Sequence, residues 1–96
     1  MSVVIWKYPI LSKSLFSVEM PADSRILSVM VQNGTVNLVQ MWALCDTESP
    51  QKQRWFRVLE TGEEIDSAMM MGCQYIGTFQ IDWMVWHLFE DMWYAS

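Results

Sequence analysis

Asn33-Gly34, set between the apolar runs Ser24 to Gln32 and Thr35 to Asp46, is the feature that most constrains this fold. Both residues tolerate the positive φ of a type I′ turn, so the pair reverses the chain and lays the two runs side by side as an antiparallel hairpin. Further runs repeat the pattern. Val3 to Tyr8 ends at Pro9, Ser14 to Met20 ends at Pro21, and Gln53 to Glu60 follows the polar stretch Asp46 to Gln51. Cys73 to Gln80 and Trp83 to Glu90 form a last hairpin, joined near Ile81-Asp82. β-Branched and aromatic residues fill these runs, turn residues bound them, and helical periodicity is almost absent. The expectation is nearly all-β: a small antiparallel β-sandwich or barrel of about six to seven strands, with one long loop near residues 60–72. In that loop Met69-Met70-Met71 reads as a short helical turn plugging the end of the core, with a contact surface as the alternative.

Ninety-six residues make a single domain, 1–96, that buries only about 60–70% of its unfolded surface. For that size a hydrophobic fraction of 52%, with six Trp and nine Met, is a heavy apolar load. After Asn33-Gly34 both faces of the strand are apolar: Val36, Leu38, Trp42 and Leu44 alternate with Val39, Met41, Ala43 and Cys45. A strand apolar on both sides is covered on both sides, so a homo-oligomer is expected, one outer face meeting another copy.

Charge narrows the partners. A formal net charge of -5, from eleven carboxylates spread between Glu19 and Asp91, repels a phosphate backbone or an anionic bilayer. Neither nucleic acid nor membrane is expected as a partner. Lys7, Pro9 and Lys13 interrupt the first apolar run before a signal-peptide core can form, and no run is long enough to cross a bilayer. A cytoplasmic protein is the expectation. Cys45 and Cys73 lie in no CxxC and near no histidine, and read as small buried hydrophobes in a reducing compartment. Neither a metal nor a cofactor is expected.

Scarce positive charge marks the leading site. Lys52-Gln53-Arg54-Trp55-Phe56-Arg57 holds three of only six basic side chains. Strand alternation puts Lys52, Arg54 and Phe56 on one face and Trp55 with Arg57 on the other, so no single face carries all the cations. Arg54 beside Phe56, or Arg57 beside Trp55, would pair an anion with a ring, and either also packs by cation–π contact with no ligand. A second cluster comprises Tyr75, Thr78, Gln80, Trp86 and His87, whose polar tips either converge on a pocket or satisfy one another. His87 is the single histidine, and Glu90, three positions along the strand, points to the opposite face. No local acid–base pair forms there. Gly72 and Gly77 are spaced like part of a phosphate loop, but Thr78-Phe79 follows where the phosphate lysine belongs. Asn33-Gly34-Thr35 matches a glycosylation acceptor, and the same letters make the hairpin turn, which is the preferred reading.

Met20-Pro21-Ala22-Asp23-Ser24-Arg25-Ile26-Leu27-Ser28-Val29, Val31-Gln32-Asn33-Gly34, Trp42-Ala43-Leu44-Cys45-Asp46, Tyr75-Ile76-Gly77-Thr78-Phe79 and Val85-Trp86-His87-Leu88-Phe89-Glu90 occur in this order. Over residues 3 to 90 the chain resembles a family of short uncharacterised proteins from phages, prophages and their hosts. Where that family reads Gly-Thr-Gly-His-x-Ile, this chain has Glu60-Thr61-Gly62-Glu63-Glu64-Ile65. Two glutamates replace a glycine and a histidine, and they repel an anion at that loop.

Together the basic strand and the phage resemblance lead to an expected non-enzymatic counter-defence sponge, which sequesters a small anionic, nucleotide-like signalling molecule in an oligomeric pocket. Arg54 and Arg57 would hold phosphate, and Trp55 or Trp86 would stack on the base. Gln74, Thr78 and Gln80, with His87 beside them, would bond the base edges. The alternative is a protein–protein inhibitor or accessory subunit acting on a host defence protein through exposed Trp and Met. A hydrolase assembled from scattered Asp and Glu ranks third.

Overall fold

The computed structural model describes residues 2–10, 14–32 and 38–95. Seven strands and one helical turn occupy them: β1 (Val3–Pro9), β2 (Leu15–Pro21), β3 (Arg25–Gln32), β4 (Leu38–Asp46), β5 (Gln51–Glu60), α1 (Ser67–Met70), β6 (Cys73–Ile81) and β7 (Met84–Asp91). They form a three-stranded sheet of order β1-β4-β3 and a four-stranded sheet of order β2-β5-β7-β6, antiparallel throughout. Among the described residues the sheets do not close into a barrel, so the fold is a small all-β sandwich.

β3 and β4 pair antiparallel from Arg25↔Leu44 to Gln32↔Leu38, as the hairpin reading requires, while the turn itself at Asn33-Gly34 lies outside the described residues. The last hairpin turns one residue later than expected. Ile81 still pairs with Met84, and the reversal falls on Asp82-Trp83, where Asp82 takes a φ of 54. Aspartate tolerates this left-handed backbone because its short side chain bonds locally. The long loop after β5 does contain a helical turn, α1, capped by Asp66, whose carboxylate accepts from Ala68 N–H at 2.9 Å. Met69 and Met70 are half-buried there, whereas Met71 is exposed.

Phe16, Met20, Phe56 and Leu88 from the four-stranded sheet meet Val29 and Met41 from the three-stranded one to build the core. Phe16 and Phe56 are cross-strand partners stacked with centroids 5.7 Å apart. Each fully buried side chain of this size contributes about 1.5–3 kcal/mol. Gly77 lets β6 come close to β3, because a Cβ there would stand 2.8 Å from Val29 Cγ1.

Among the described residues the two faces of β4 are covered unequally. Met41, Ala43 and Cys45 are buried toward the core, while Trp42 and Leu44 on the opposite face are half-buried. Gln40, also on that outer face, is only 4% exposed, and its Oε1 and the Trp42 Nε1 are buried without a hydrogen-bond partner among the described residues. No described helix is long and apolar enough to cross a membrane.

Candidate functional site

β5 runs between β2 and β7, so its alternate side chains divide between the inside of the sandwich and the outer face of the four-stranded sheet. Arg54 follows Phe56 and Val58 inward. Its Nε and Nη2 donate to Glu90 Oε2 and Oε1, both at 2.7 Å, and Nη1 donates to the Ser24 carbonyl. This is the two-pronged carboxylate pairing that the planar guanidinium favours. Arg57 points outward, donates from Nε to Asp91 Oδ2 at 2.7 Å, and lies 5.8 Å from the Tyr94 ring centre. Burial favours the neutral form of Asp91. Hydrogen bonds from Arg57 and from the Tyr94 and Trp93 amides, with the Arg57 charge, outweigh that and hold the carboxyl below its ordinary value. Each arginine is therefore neutralised by a carboxylate from the end of β7.

A recess of about 690 Å³ opens beside this strand. Its walls are the turn Ala22-Asp23-Ser24, the segment Lys52 to Trp55, the β7 end Glu90 to Met92, and Tyr94-Ala95. Trp55 meets Tyr94 edge-on, with centroids 4.5 Å apart. Lys52 and Arg54 supply its positive charge, and Asp23, Glu90 and Asp91 its negative charge. Arg57 does not line it.

Of the second cluster, Tyr75, Thr78, Gln80 and His87 lie on the outer face that carries Arg57, across β6 and β7. Thr78 is the cross-strand partner of His87, with its Oγ1 3.0 Å from His87 Nδ1, and the Tyr75 hydroxyl stands 2.5 Å from that Oγ1. On the other side His87 Nε2 is 2.7 Å from Thr61 Oγ1, which itself donates to the Val85 carbonyl at 3.0 Å. His87 bridges two threonine hydroxyls, Thr61 at Nε2 and Thr78 at Nδ1, and Thr78 pairs in turn with Tyr75. Every polar tip in the chain Tyr75–Thr78–His87–Thr61 is thus satisfied internally. Glu90, on the inner face, takes no part, as alternation predicts.

The eight residues singled out from the sequence fall into separate places. Arg54 and Trp55 line the recess, and Arg57 lies beyond it on the outer face. Thr78 and His87 share the hydroxyl chain. Gln80 turns to the Asp82 carbonyl at 2.8 Å, Gln74 is exposed, and Trp86 packs half-buried against the core on the opposite face from His87. Sequence reasoning missed Ser24, Thr61, Glu90, Asp91 and Tyr94. One signal was present: Glu90-Asp91, adjacent and therefore on opposite faces, complement Arg54 and Arg57, which also face opposite ways. Using it requires knowing that β7 neighbours β5. Both cysteines are free. Cys45 is buried as expected, but Cys73 is only half-buried, since its strand begins at the rim of the sheet where α1 gives partial cover, and its thiol donates to the Met69 carbonyl at 3.5 Å. Burial, then the Asp91 charge, push that thiol up from its ordinary pKa.

Residues 1–94 match the model of a domain of unknown function. The chain belongs to the DUF7352 family. No curated protein and no solved structure matches it. In this DUF7352 chain the row Leu15, Arg57, Phe89 and Tyr75 crosses all four strands of the outer face. Tyr75 and Phe89 meet edge-on at 5.5 Å. The segment after β7 extends the row: Met92 N–H donates to the Gly72 carbonyl at 2.8 Å, and the Trp93 ring occupies the space a Gly72 side chain would need. Met71, Tyr75, Met92, Trp93 and Tyr94 are all exposed at this end of the DUF7352 sandwich, Met92 and Tyr94 also lining the recess.

Proposed function

We propose that this protein is a non-enzymatic binding protein that docks on another protein through the aromatic and methionine-rich end of its four-stranded sheet. One observation carries the reading: Met71 is 72% exposed and Trp93 60%, and Tyr75, Met92 and Tyr94 of the same region are exposed as well. Trp, Tyr, Met and Arg are the residues that dominate the buried centres of protein interfaces. Arg57 already lies neutralised under Tyr94, so covering this surface strands no unpaired cation. The resemblance to phage and prophage proteins favours a host defence protein as the partner, met in the host cytoplasm.

The recess beside Trp55 favours a second reading, capture of a small anionic, nucleotide-like molecule. Lys52 and Trp55 suit such a ligand, and Asp23, Glu90 and Asp91 on the same walls oppose it. Photo-crosslinking in host cells separates the two. A benzophenone side chain at Met71 and at Met92 is expected to give one adduct of the same size from both positions. A control at exposed Glu64 should give none, and Tyr75→Ser should weaken the adduct. Equal labelling at Glu64, or no adduct anywhere, overturns protein docking. A melting-temperature rise with a nucleotide panel, lost in Lys52→Ala, would then favour capture.

A further inference from the structure

We propose that β1 is a self-association edge: two copies of this chain join their three-stranded sheets by antiparallel pairing of β1 with β1, centred on Ile5. Among the described residues β1 is hydrogen-bonded to β4 alone, and none of them pairs with its other edge. The alternation of the ladder says which groups lie there. Ser2 O accepts from Thr47 N–H at 3.1 Å and Ile10 N–H donates to Val39 O at 2.9 Å, so the even-numbered residues bond to β4. In an antiparallel ladder the intervening residues turn their N–H and C=O the other way. Val3, Ile5 and Lys7 therefore present their backbone groups outward, as a template for another strand.

The side chains make that template apolar on both faces. Val3 and Ile5 are each 60% exposed on the outer face, and Trp6 remains 42% exposed although it shares the inner face with core-packed Tyr8. β1 has none of the usual protections of an edge at its centre; its single charge is Lys7, and Pro9 stands only at its end.

A register centred on Ile5 fits a second copy in three ways. Ile5 faces its own counterpart while Val3 faces Lys7 of the copy, so all three outward residues exchange both backbone hydrogen bonds. On the inner face Trp6 stands beside Val4 of the copy in the closer, non-hydrogen-bonded kind of pair, covering the exposed indole. Charge does not oppose the contact. Lys7 Nζ leans over the Trp42 ring and donates to Gln32 Oε1 at 2.9 Å, away from the open edge, so no ammonium group crowds the seam. An isologous contact of this kind closes at two copies and leaves one continuous six-stranded sheet, β3-β4-β1-β1-β4-β3. It uses none of the residues of the docking surface proposed above, so each stands or falls separately.

Size-exclusion chromatography with light scattering at micromolar concentration should give twice the 11.3 kDa chain mass. Ile5→Pro removes one outward N–H without touching the β4 ladder, and Ile5→Lys sets like charges face to face at the two-fold axis. Both are expected to give the monomer with an unchanged far-ultraviolet circular dichroism spectrum. Should Ile5→Pro fail to fold, Ile5→Lys decides. Amide hydrogen exchange supplies the residue-level check: Val3, Ile5 and Lys7 should be protected in the native chain and exchange at least tenfold faster in Ile5→Lys, while Val4 and Trp6 stay slow. A native monomer, a dimer that survives both substitutions, or rapid exchange at the odd-numbered amides in the native chain each overturns the proposal.

Discussion

The two sheets of this protein handle their polar groups differently. In the four-stranded sheet Arg54, Arg57, Glu90, Asp91, Thr61, Thr78 and His87 find partners within the chain, mostly on the adjacent strand. In the three-stranded sheet the central strand buries Gln40 Oε1 and Trp42 Nε1 without partners among the described residues. A polar group taken out of water without a hydrogen bond carries a penalty of about 1–3 kcal/mol, so the second arrangement persists only where something else stabilises it. The contrast separates a sheet whose buried side-chain polar groups pair within the chain from one that leaves two of them unpaired among the described residues. It also bears on how the arginines are read. Basic residues scarce in the sequence look like ligand hooks, and Arg54 and Arg57 pair with the carboxylates at the end of β7 as counter-ions within the fold.

The largest expected effect tests that reading of the arginines. Arg54→Met leaves Glu90 charged and largely buried with its guanidinium partner gone and the Ser24 carbonyl without its donor. It should destabilise the fold by about 3–5 kcal/mol in urea unfolding. Adding Glu90→Leu to the same chain should restore most of the loss, because an apolar pair of similar volume needs no counter-ion. A penalty below about 1 kcal/mol, the size of a solvated surface pair, would break the comparison. Arg54 would then be a weakly held cation available to an anion in the recess.

Acid sharpens the same contrast at the outer face. The folded Asp91 carboxyl sits below its ordinary value of 3.8, so the stability it contributes is fully present above that value and is lost as pH falls through the lower folded one. Arg57→Gln removes the strongest of the influences that lower it and leaves burial, which raises it. Urea midpoints measured through an acid series should therefore fall steeply for the native chain below about pH 4 and more gently for Arg57→Gln, which starts from a lower neutral stability. Parallel curves would show that the Arg57–Asp91 contact is not formed in solution.

Much of the fold was legible in the chain because strand boundaries are written locally. Proline after Tyr8 and Met20, the polar stretch after Asp46 and alternating β-branched and aromatic residues mark seven strands and need no knowledge of what lies beside them. Alternation also placed Arg54 and Arg57 on opposite faces and separated His87 from Glu90. What stayed illegible is the order β2-β5-β7-β6, in which β5 and β7 become neighbours across the α1 loop and β6. Without that adjacency Glu90 and Asp91 are two more acids in an acidic chain, and the basic strand appears unopposed. The same reason hid Thr61, whose hydroxyl orients His87 only because β5 ends next to β7.

The smallest expected effect concerns the unfinished sheet and runs in the stabilising direction. Gln40 pairs across β4 with Pro9 on one side and Met30 on the other, so methionine at position 40 would keep the length of the side chain among apolar neighbours while removing the stranded amide oxygen. In the Ile5→Lys background, where self-association does not contribute, Gln40→Met should raise stability by about 1 kcal/mol, read as a higher urea midpoint at unchanged slope. A loss of similar size would mean that Oε1 is bonded in solution and that the outer face of β4 is satisfied by the chain itself. The difference between the sheets would then disappear, while the open edge of β1 would remain, since its ladder groups depend only on backbone alternation and not on any side chain of β4.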